Sequence, residues 1–373
     1  MWARRSSLAS DEDGKESVHV GRVRLLGKQP IRDEKTMLTK EQLEFFEQEG
    51  YVGPFDSQLS DDTIDSVANY LHEYLDKRAD HPLYGRFSVR EMHLLNEDVL
   101  ALASQPQLVG ALQQILGDDL ALWRSKIFYK KPGDAAIEWH QEWGAFNGEE
   151  IGNDIPGLKP SADNQNEFWN LTIWFALQDI DESMGPMQFI RKSYKKRYPI
   201  EMVPMVDSAF WQDPFLGLES KEQLVEKCRN ATLVLDINTS DYLDDIDIDA
   251  SSVETLQQHI LNKCAKLEAA YTCDFDYTDD ELVTLPMKKG QYVIFPERTM
   301  HRSTANVSES GRMAINFRVT PSSTLIYPGR VEGDYVDGSN IDISHHKSIL
   351  LSGENREPRN EYMDASDVKT HRF

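Results

Sequence analysis

The chain has 373 residues, with 40 Lys+Arg against 63 Asp+Glu and a formal net charge of −23. Such a field repels phosphate backbones and anionic lipid headgroups, so no nucleic acid and no membrane surface is expected as a partner, which leaves small molecules or neutral-to-basic surfaces. At 40% hydrophobic and 10% aromatic, the chain can bury a sizeable core, either as two domains or as one large β-barrel. No apolar run approaches the roughly 18 residues of a membrane span, and the first twenty residues lack the apolar centre of a signal peptide, so a cytoplasmic protein is expected. Cys228, Cys264 and Cys273 show no CxxC spacing and read as reduced thiols.

Residues 1–36 are polar and charged without helical or strand period, which predicts a disordered N-terminal arm. At Leu38 the pattern changes. Thr39 and Gln42 have capping-box spacing, Leu38 and Leu43 have hydrophobic-staple spacing, and Gly50 closes the predicted helix LTKEQLEFFEQEG. A second helix is predicted from about Asp61, with Ile64, Val67, Leu71 and Leu75 at helical period, and a third near Gln107 to Leu116. From Leu120 the pattern is one of strands: LALWRSKIFYKKPG, AIEWHQE, WNLTIWFALQDI, MGPMQFI and, after a long gap, GQYVIF and RMAINFRVT. Helices first and then many strands, without regular alternation, predict a mainly β fold with flanking helices, an antiparallel sandwich or barrel.

Two segments stand out by charge. Residues 236–281 contain 13 acidic residues and two lysines, nearly half of the excess negative charge, and read as an acidic insertion around a helix in SSVETLQQHILNKCAKLEAA. It is either a lid over the site or a solvated excursion. From Arg191 to Arg197, five of seven residues are basic, which suits a solvated loop or a grip on an anionic group.

Of the ten histidines, His140 and His301 sit at strand edges with plausible partners. His140 and Glu142 are two positions apart, so an extended chain presents imidazole and carboxylate on one face. His301 follows a strand and tight turn, GQYVIFPERTMH, and a barrel can bring it beside that pair. Two histidines and one carboxylate form the facial triad of non-haem Fe(II) oxygenases, which leaves positions for a chelating 2-oxo acid and O₂. The strand RMAINFRVT places Arg312, Ala314, Asn316 and Arg318 on one face and an apolar set on the other. Arginines directed into a barrel need anions, and the distal carboxylate of a dicarboxylic cosubstrate is one. The strand NLTIWFAL alternates likewise, with Asn170, Thr172, Trp174 and Ala176 on its first face.

These residues match a known pattern. The chain resembles the phytanoyl-CoA dioxygenase superfamily of Fe(II)- and 2-oxoglutarate-dependent oxygenases through LTKEQLEFFEQEGYVGPFD. In LALWRSKIFYKKPGDAAIEWHQEWGAFN, LTIWFALQDIDESMGPMQFI and MKKGQYVIFPERTMHRSTANVSESGRMAINFRV it is similar to the syringomycin-type halogenase branch. The resemblance covers roughly residues 38–204 and 285–325. It implies a double-stranded β-helix, a cupin-like jelly-roll, with an oxygenase domain over 37–325, an inserted acidic segment over 206–285 and a C-terminal extension over 326–373. It implies that His140, Glu142 and His301 bind Fe(II), that Arg312 and Trp174 hold the distal carboxylate of 2-oxoglutarate, and that Asn147, Thr172 and Arg318 form a polar network beside the reactive iron position.

Two positions depart from the halogenases. Ile137 replaces a threonine whose hydroxyl reaches the 2-oxoglutarate carboxylate, and Glu142 stands where a small residue leaves room for chloride. A carboxylate there competes with halide for the ligand position and repels it, so hydroxylation of an unactivated C–H bond is expected rather than chlorination. Substrates in this branch are often amino acids, free or on a carrier protein. Carrier proteins are usually acidic and a chain of −23 repels them, so a free amino acid or amine is preferred to a carrier-bound or phosphorylated substrate.

Overall fold

The computed structural model describes residues 38–77, 87, 89–141, 157–161, 168–196, 198, 200–204, 206, 213–234, 237, 239–272, 276–335 and 342–372. The expected arm over 1–36 lies outside them.

The first helix, α1 (Lys40–Glu49), forms as its caps dictate. The Thr39 hydroxyl accepts from the Gln42 amide at 3.2 Å, and the Gln42 side chain accepts from the Thr39 amide at 2.8 Å. Gly50 ends the helix at φ 81, a conformation that strains any residue with a Cβ. The second helix, α2 (Asp61–Lys77), buries Ile64, Val67 and Leu71, the stripe set by its period. The third predicted helix spans Pro106–Leu116, and a shorter one, Glu97–Ala103, precedes it.

Among the described residues the strands are, in chain order, β1 (Val52–Asp56), β2 (Leu120–Lys130), β3 (Ile137–His140), β4 (Leu158–Lys159), β5 (Leu171–Ala176), β6 (Met187–Ile190), β7 (Ile200–Pro204), β8 (Glu268–Thr272), β9 (Leu282–Leu285), β10 (Gln291–Pro296), β11 (His301–Ser303), β12 (Arg312–Pro321), β13 (Leu325–Ile326), β14 (Ser348–Ser352) and β15 (Tyr362–Met363). Seven form one sheet in the order β1-β10-β5-β12-β2-β14-β15, and four form a second in the order β3-β11-β6-β9. The long strands β2, β5, β10 and β12 pair antiparallel, as expected of a jelly-roll. Chain segments beyond residue 326 add β14 and β15 to the large sheet.

The strict alternation of β5 and β12 divides the interior in two. Ile173, Phe175, Ile315 and Phe317 face the helices and pack with Ile64, Val67 and Leu112. On the opposite face, Trp174, Ala176 and Ala314 meet Met187 and Phe189 of the small sheet. The structure is therefore mainly β with flanking helices around a jelly-roll core. Between β7 and β9 lies a separate apolar cluster, where Leu224 and Cys228 of the helix Lys221–Arg229 pack with Leu256, Ile260 and Cys264 of the helix Val253–Cys264. Cys228 and Cys264 are free thiols, as expected, and Cys273 lies outside the described residues. No helix among the described residues is long and apolar enough to cross a membrane.

Gly50 couples the first helix to the sheets. A Cβ there would lie 2.6 Å from Tyr194 Cδ1 and 3.0 Å from Thr299 Oγ1. Gly50→Ala therefore meets both a strained φ and a clash. We expect it to destabilise the fold by about 2–3 kcal/mol, read as a lowered urea midpoint, and an unchanged midpoint would contradict this account of the turn.

Candidate active site

The site begins at the pairing of β11 with β3, which sets His301 directly opposite His140. Their ring centroids are 4.1 Å apart. Each imidazole is oriented in the same way. His140 Nδ1 lies 2.7 Å from the Glu138 carbonyl, and His301 Nδ1 lies 2.7 Å from the Thr299 carbonyl. A carbonyl only accepts, so both Nδ1 atoms carry a proton, which leaves Nε2 as the nitrogen each neutral ring can offer to a metal. Metal-binding histidines are oriented by such carbonyl partners. His301 packs against Phe295 at 5.0 Å between ring centroids. Burial, with His140 beside it and Arg318 nearby, holds His301 well below the usual imidazole range, so it remains neutral and able to ligate.

The supports of these strands are themselves tied down. Thr299, whose carbonyl holds His301, donates its hydroxyl to the Gly50 carbonyl at 2.6 Å, which carries the geometry of the α1 cap to the histidine. Lys130 Nζ donates to the Ala135 carbonyl at 2.7 Å, the Thr304 carbonyl at 2.5 Å and the Ser303 carbonyl at 3.3 Å. It thereby joins the turn entering β3 to the end of β11. Gln141, next to His140, donates to the carbonyls of Arg298 at 2.6 Å and Lys196 at 2.9 Å.

A pocket opens beside the two histidines, and Ile137, Thr172, Trp174, Arg312 and Arg318 line it with them. Seven of the nine residues singled out from the sequence are thus brought together. The other two, Glu142 and Asn147, lie outside the described residues. No group of three metal-binding side chains occurs among the described residues.

Arg312 is 1% exposed, and its Nε and Nη1 have no hydrogen-bond partner. Its guanidinium lies 5.3 Å from the Trp174 ring centroid. Burial pulls its pKa down to about 10, a cost that an anion would offset. Orphaned donors on a buried arginine stacked over an indole form a cradle for a carboxylate, which fits the cosubstrate expected there.

Ser303, Met187, Phe128 and Phe295 also line the pocket, and they received no role from the sequence. Asn316 lines it too, on the expected face of β12. The missed signal is the two-residue period of β11, which sets His301 and Ser303 on one face; Arg302 between them also reaches the pocket and lies over the Trp139 ring at 4.5 Å. Ser303 pairs with Ile137 across β3, and its buried Oγ has no hydrogen-bond partner. The basic segment gives a different result. Arg191 donates to Glu49 at 2.7 Å, Lys195 and Lys196 lie over Tyr194 and Tyr198, and none of Arg191, Lys192, Lys195 or Lys196 lines the pocket. Arg197 lies outside the described residues.

The comparisons with known proteins show the family. The family model of phytanoyl-CoA dioxygenase matches residues 35–314, well over half of the chain. The chain therefore belongs to the phytanoyl-CoA dioxygenase family, within the Fe(II)- and 2-oxoglutarate-dependent dioxygenases. A curated relative, the "probable alpha-ketoglutarate-dependent hypophosphite dioxygenase" of Stutzerimonas stutzeri, is 33% identical over 58 residues, 16% of this chain. The match spans only 20% of that relative's length. Among solved structures, CytC3 with Fe(II) and alpha-ketoglutarate superposes with a TM-score of 0.54 at 18% identity, covering 88% of this chain and 93% of its own. The apo form of the non-heme monooxygenase ThoJ gives 0.52 at 15% identity, covering 86% of each chain. At these identities the likeness is one of fold.

Proposed function

We propose that the protein is an Fe(II)- and 2-oxoglutarate-dependent hydroxylase of a small molecule, a free amino acid or amine. The observation that carries this reading is the juxtaposition of two carbonyl-oriented histidines with a buried arginine whose Nε and Nη1 lack acceptors. His140, His301 and Glu142 would hold the iron. With 2-oxoglutarate and O₂, that iron supplies the oxidising power for attack on an unactivated C–H bond.

The protein's own part is orientation and exclusion of water. The Glu138 and Thr299 carbonyls fix which nitrogen each histidine offers. Arg312, whose guanidinium lies over the Trp174 ring, would hold the distal carboxylate of 2-oxoglutarate. Ser303 supplies the hydroxyl that Ile137 lacks, since the two are paired across β3 and β11 and the Ser303 Oγ is without a partner. Thr172, in register with Arg318, would add to the polar surroundings of the reacting position, to which the family resemblance also assigns Asn147.

Glu142 supports hydroxylation over chlorination. A carboxylate at that position in the H-x-E triplet competes with halide as a ligand and repels it by charge. The net charge of −23 disfavours an acidic carrier protein, which favours a free substrate.

With candidate amino acids, ¹⁸O₂ and chloride present, mass spectrometry should find one labelled oxygen in succinate and one in the product. A chlorine isotope pattern, or loss of two hydrogens without oxygen gain, would contradict the hydroxylase reading. Ser303→Ala should raise the KM for 2-oxoglutarate by about 3–10-fold with little change in kcat, the loss of one neutral hydrogen bond, and an unchanged KM would remove Ser303 from this role.

A further inference from the structure

We propose that Arg302 is a positioning residue for the iron site, holding the bend in β3 that aims His140; this rests on the oxygenase reading above and adds a residue to its machinery. The pairing of β3 with β11 is irregular at this point. His301 lies opposite His140 and Ser303 opposite Ile137, so two residues of β3, Glu138 and Trp139, face one residue of β11, Arg302. That is the geometry of a β-bulge, which bends a strand and re-aims its side chains. The bulge also orients the imidazole, because the Glu138 carbonyl within it accepts from His140 Nδ1 at 2.7 Å.

A bulge disrupts the ladder locally, so side chains have to fix it. Lys130 and Gln141 hold the two ends of β3, and Arg302 holds its middle. The Arg302 guanidinium lies over the Trp139 ring, 4.5 Å from the centroid, and its Nε donates to Gln188 Oε1 at 2.7 Å. Gln188 in turn donates through Nε2 to Thr284 Oγ1 at 2.8 Å. In the strand register Arg302 pairs with Gln188, and Gln188 with Thr284. Trp139, Arg302, Gln188 and Thr284 therefore form one row across all four strands of the small sheet, β3-β11-β6-β9. The row crosses β11 one residue after His301 and β3 one residue before His140. A planar guanidinium suits this place, since its edge bonds the amide while its face covers the indole.

Trp139 is buried and packs with Ile190 and Met300. Tyr277, in the acidic segment, meets it edge to face with ring centroids 5.5 Å apart, and β8 of the same segment packs against β3. The acidic segment thus has a seat on the strand that carries His140.

The test reads the two histidines separately in the metal-free protein. With ¹⁵N-labelled histidine at mildly alkaline pH, where imidazoles are neutral, long-range ¹H–¹⁵N spectra report which ring nitrogen carries the proton. His140→Gln and His301→Gln variants assign the signals. Wild type should show both rings with the proton on Nδ1. Arg302→Ala should leave His301, which the Thr299 carbonyl orients, unchanged and convert His140 to a mixture of tautomers. It should also weaken binding of Co(II), used as the metal probe, by about tenfold. Arg302→Lys, which keeps a cation over the indole, should restore part of both. An unaltered His140 signal in Arg302→Ala, or equal disturbance of both histidines, as general loosening of the fold would give, would overturn the assignment. Arg302 also reaches the pocket, and the metal-free readout separates its effect on His140 from any contact with a bound ligand. A wild type that binds no Co(II) would instead count against the iron reading, so the two failures are distinguishable.

Discussion

The interaction on which the rest depends is the antiparallel pairing of β3 with β11, which faces His140 with His301. Neither histidine has a partner of its own kind within its local sequence, and each is oriented by a carbonyl two residues upstream. Such contacts hold only if the backbone is fixed, and the fold fixes it from several directions. The Gly50 turn holds Thr299, Lys130 joins the two strand ends, and Gln141 attaches β3 to the loops around Lys196 and Arg298. The candidate metal site is thus a property of the β3–β11 pairing at the edge of the small sheet, and helix α1, remote in sequence, belongs to its support.

A second theme is electrostatic contrast. The molecule is strongly acidic as a whole, yet the described walls of its pocket carry arginines and no carboxylate. The two facts concern different parts of the chain. Nearly half of the excess negative charge sits in residues 236–281, and part of that segment packs in an apolar cluster of its own with the helix Lys221–Arg229. Inside, the arginines hang from one alternating strand whose other face is wholly apolar and buried against the helices. The same periodicity therefore builds the core and charges the pocket.

That periodicity is why much of the architecture was legible in the sequence. Alternation in RMAINFRVT and NLTIWFAL correctly separated Arg312, Asn316, Arg318, Thr172 and Trp174 from the core-facing set, and the capping box and glycine stop correctly bounded α1. Seven of the nine residues singled out from alternation and family resemblance line one pocket. Ser303 was not, because β11 is three residues long and its period is visible only once its pairing with β3 is known. The helix Lys221–Arg229 was missed inside a stretch read chiefly by charge. The basic run after Arg191 had two readings, and tertiary contacts with Glu49, Tyr194 and Tyr198 place its described residues outside the pocket.

The central claim is that the paired histidines, with Glu142, hold an iron that 2-oxoglutarate chelates. Anaerobic addition of Fe(II) and then 2-oxoglutarate to the purified protein measures this directly. A weak visible charge-transfer band should appear with 2-oxoglutarate, saturate at one equivalent of iron, and be lost in His301→Ala. A wild-type protein that gives no band at saturating iron and cosubstrate, or a His301→Ala variant that gives the same band, would contradict the account.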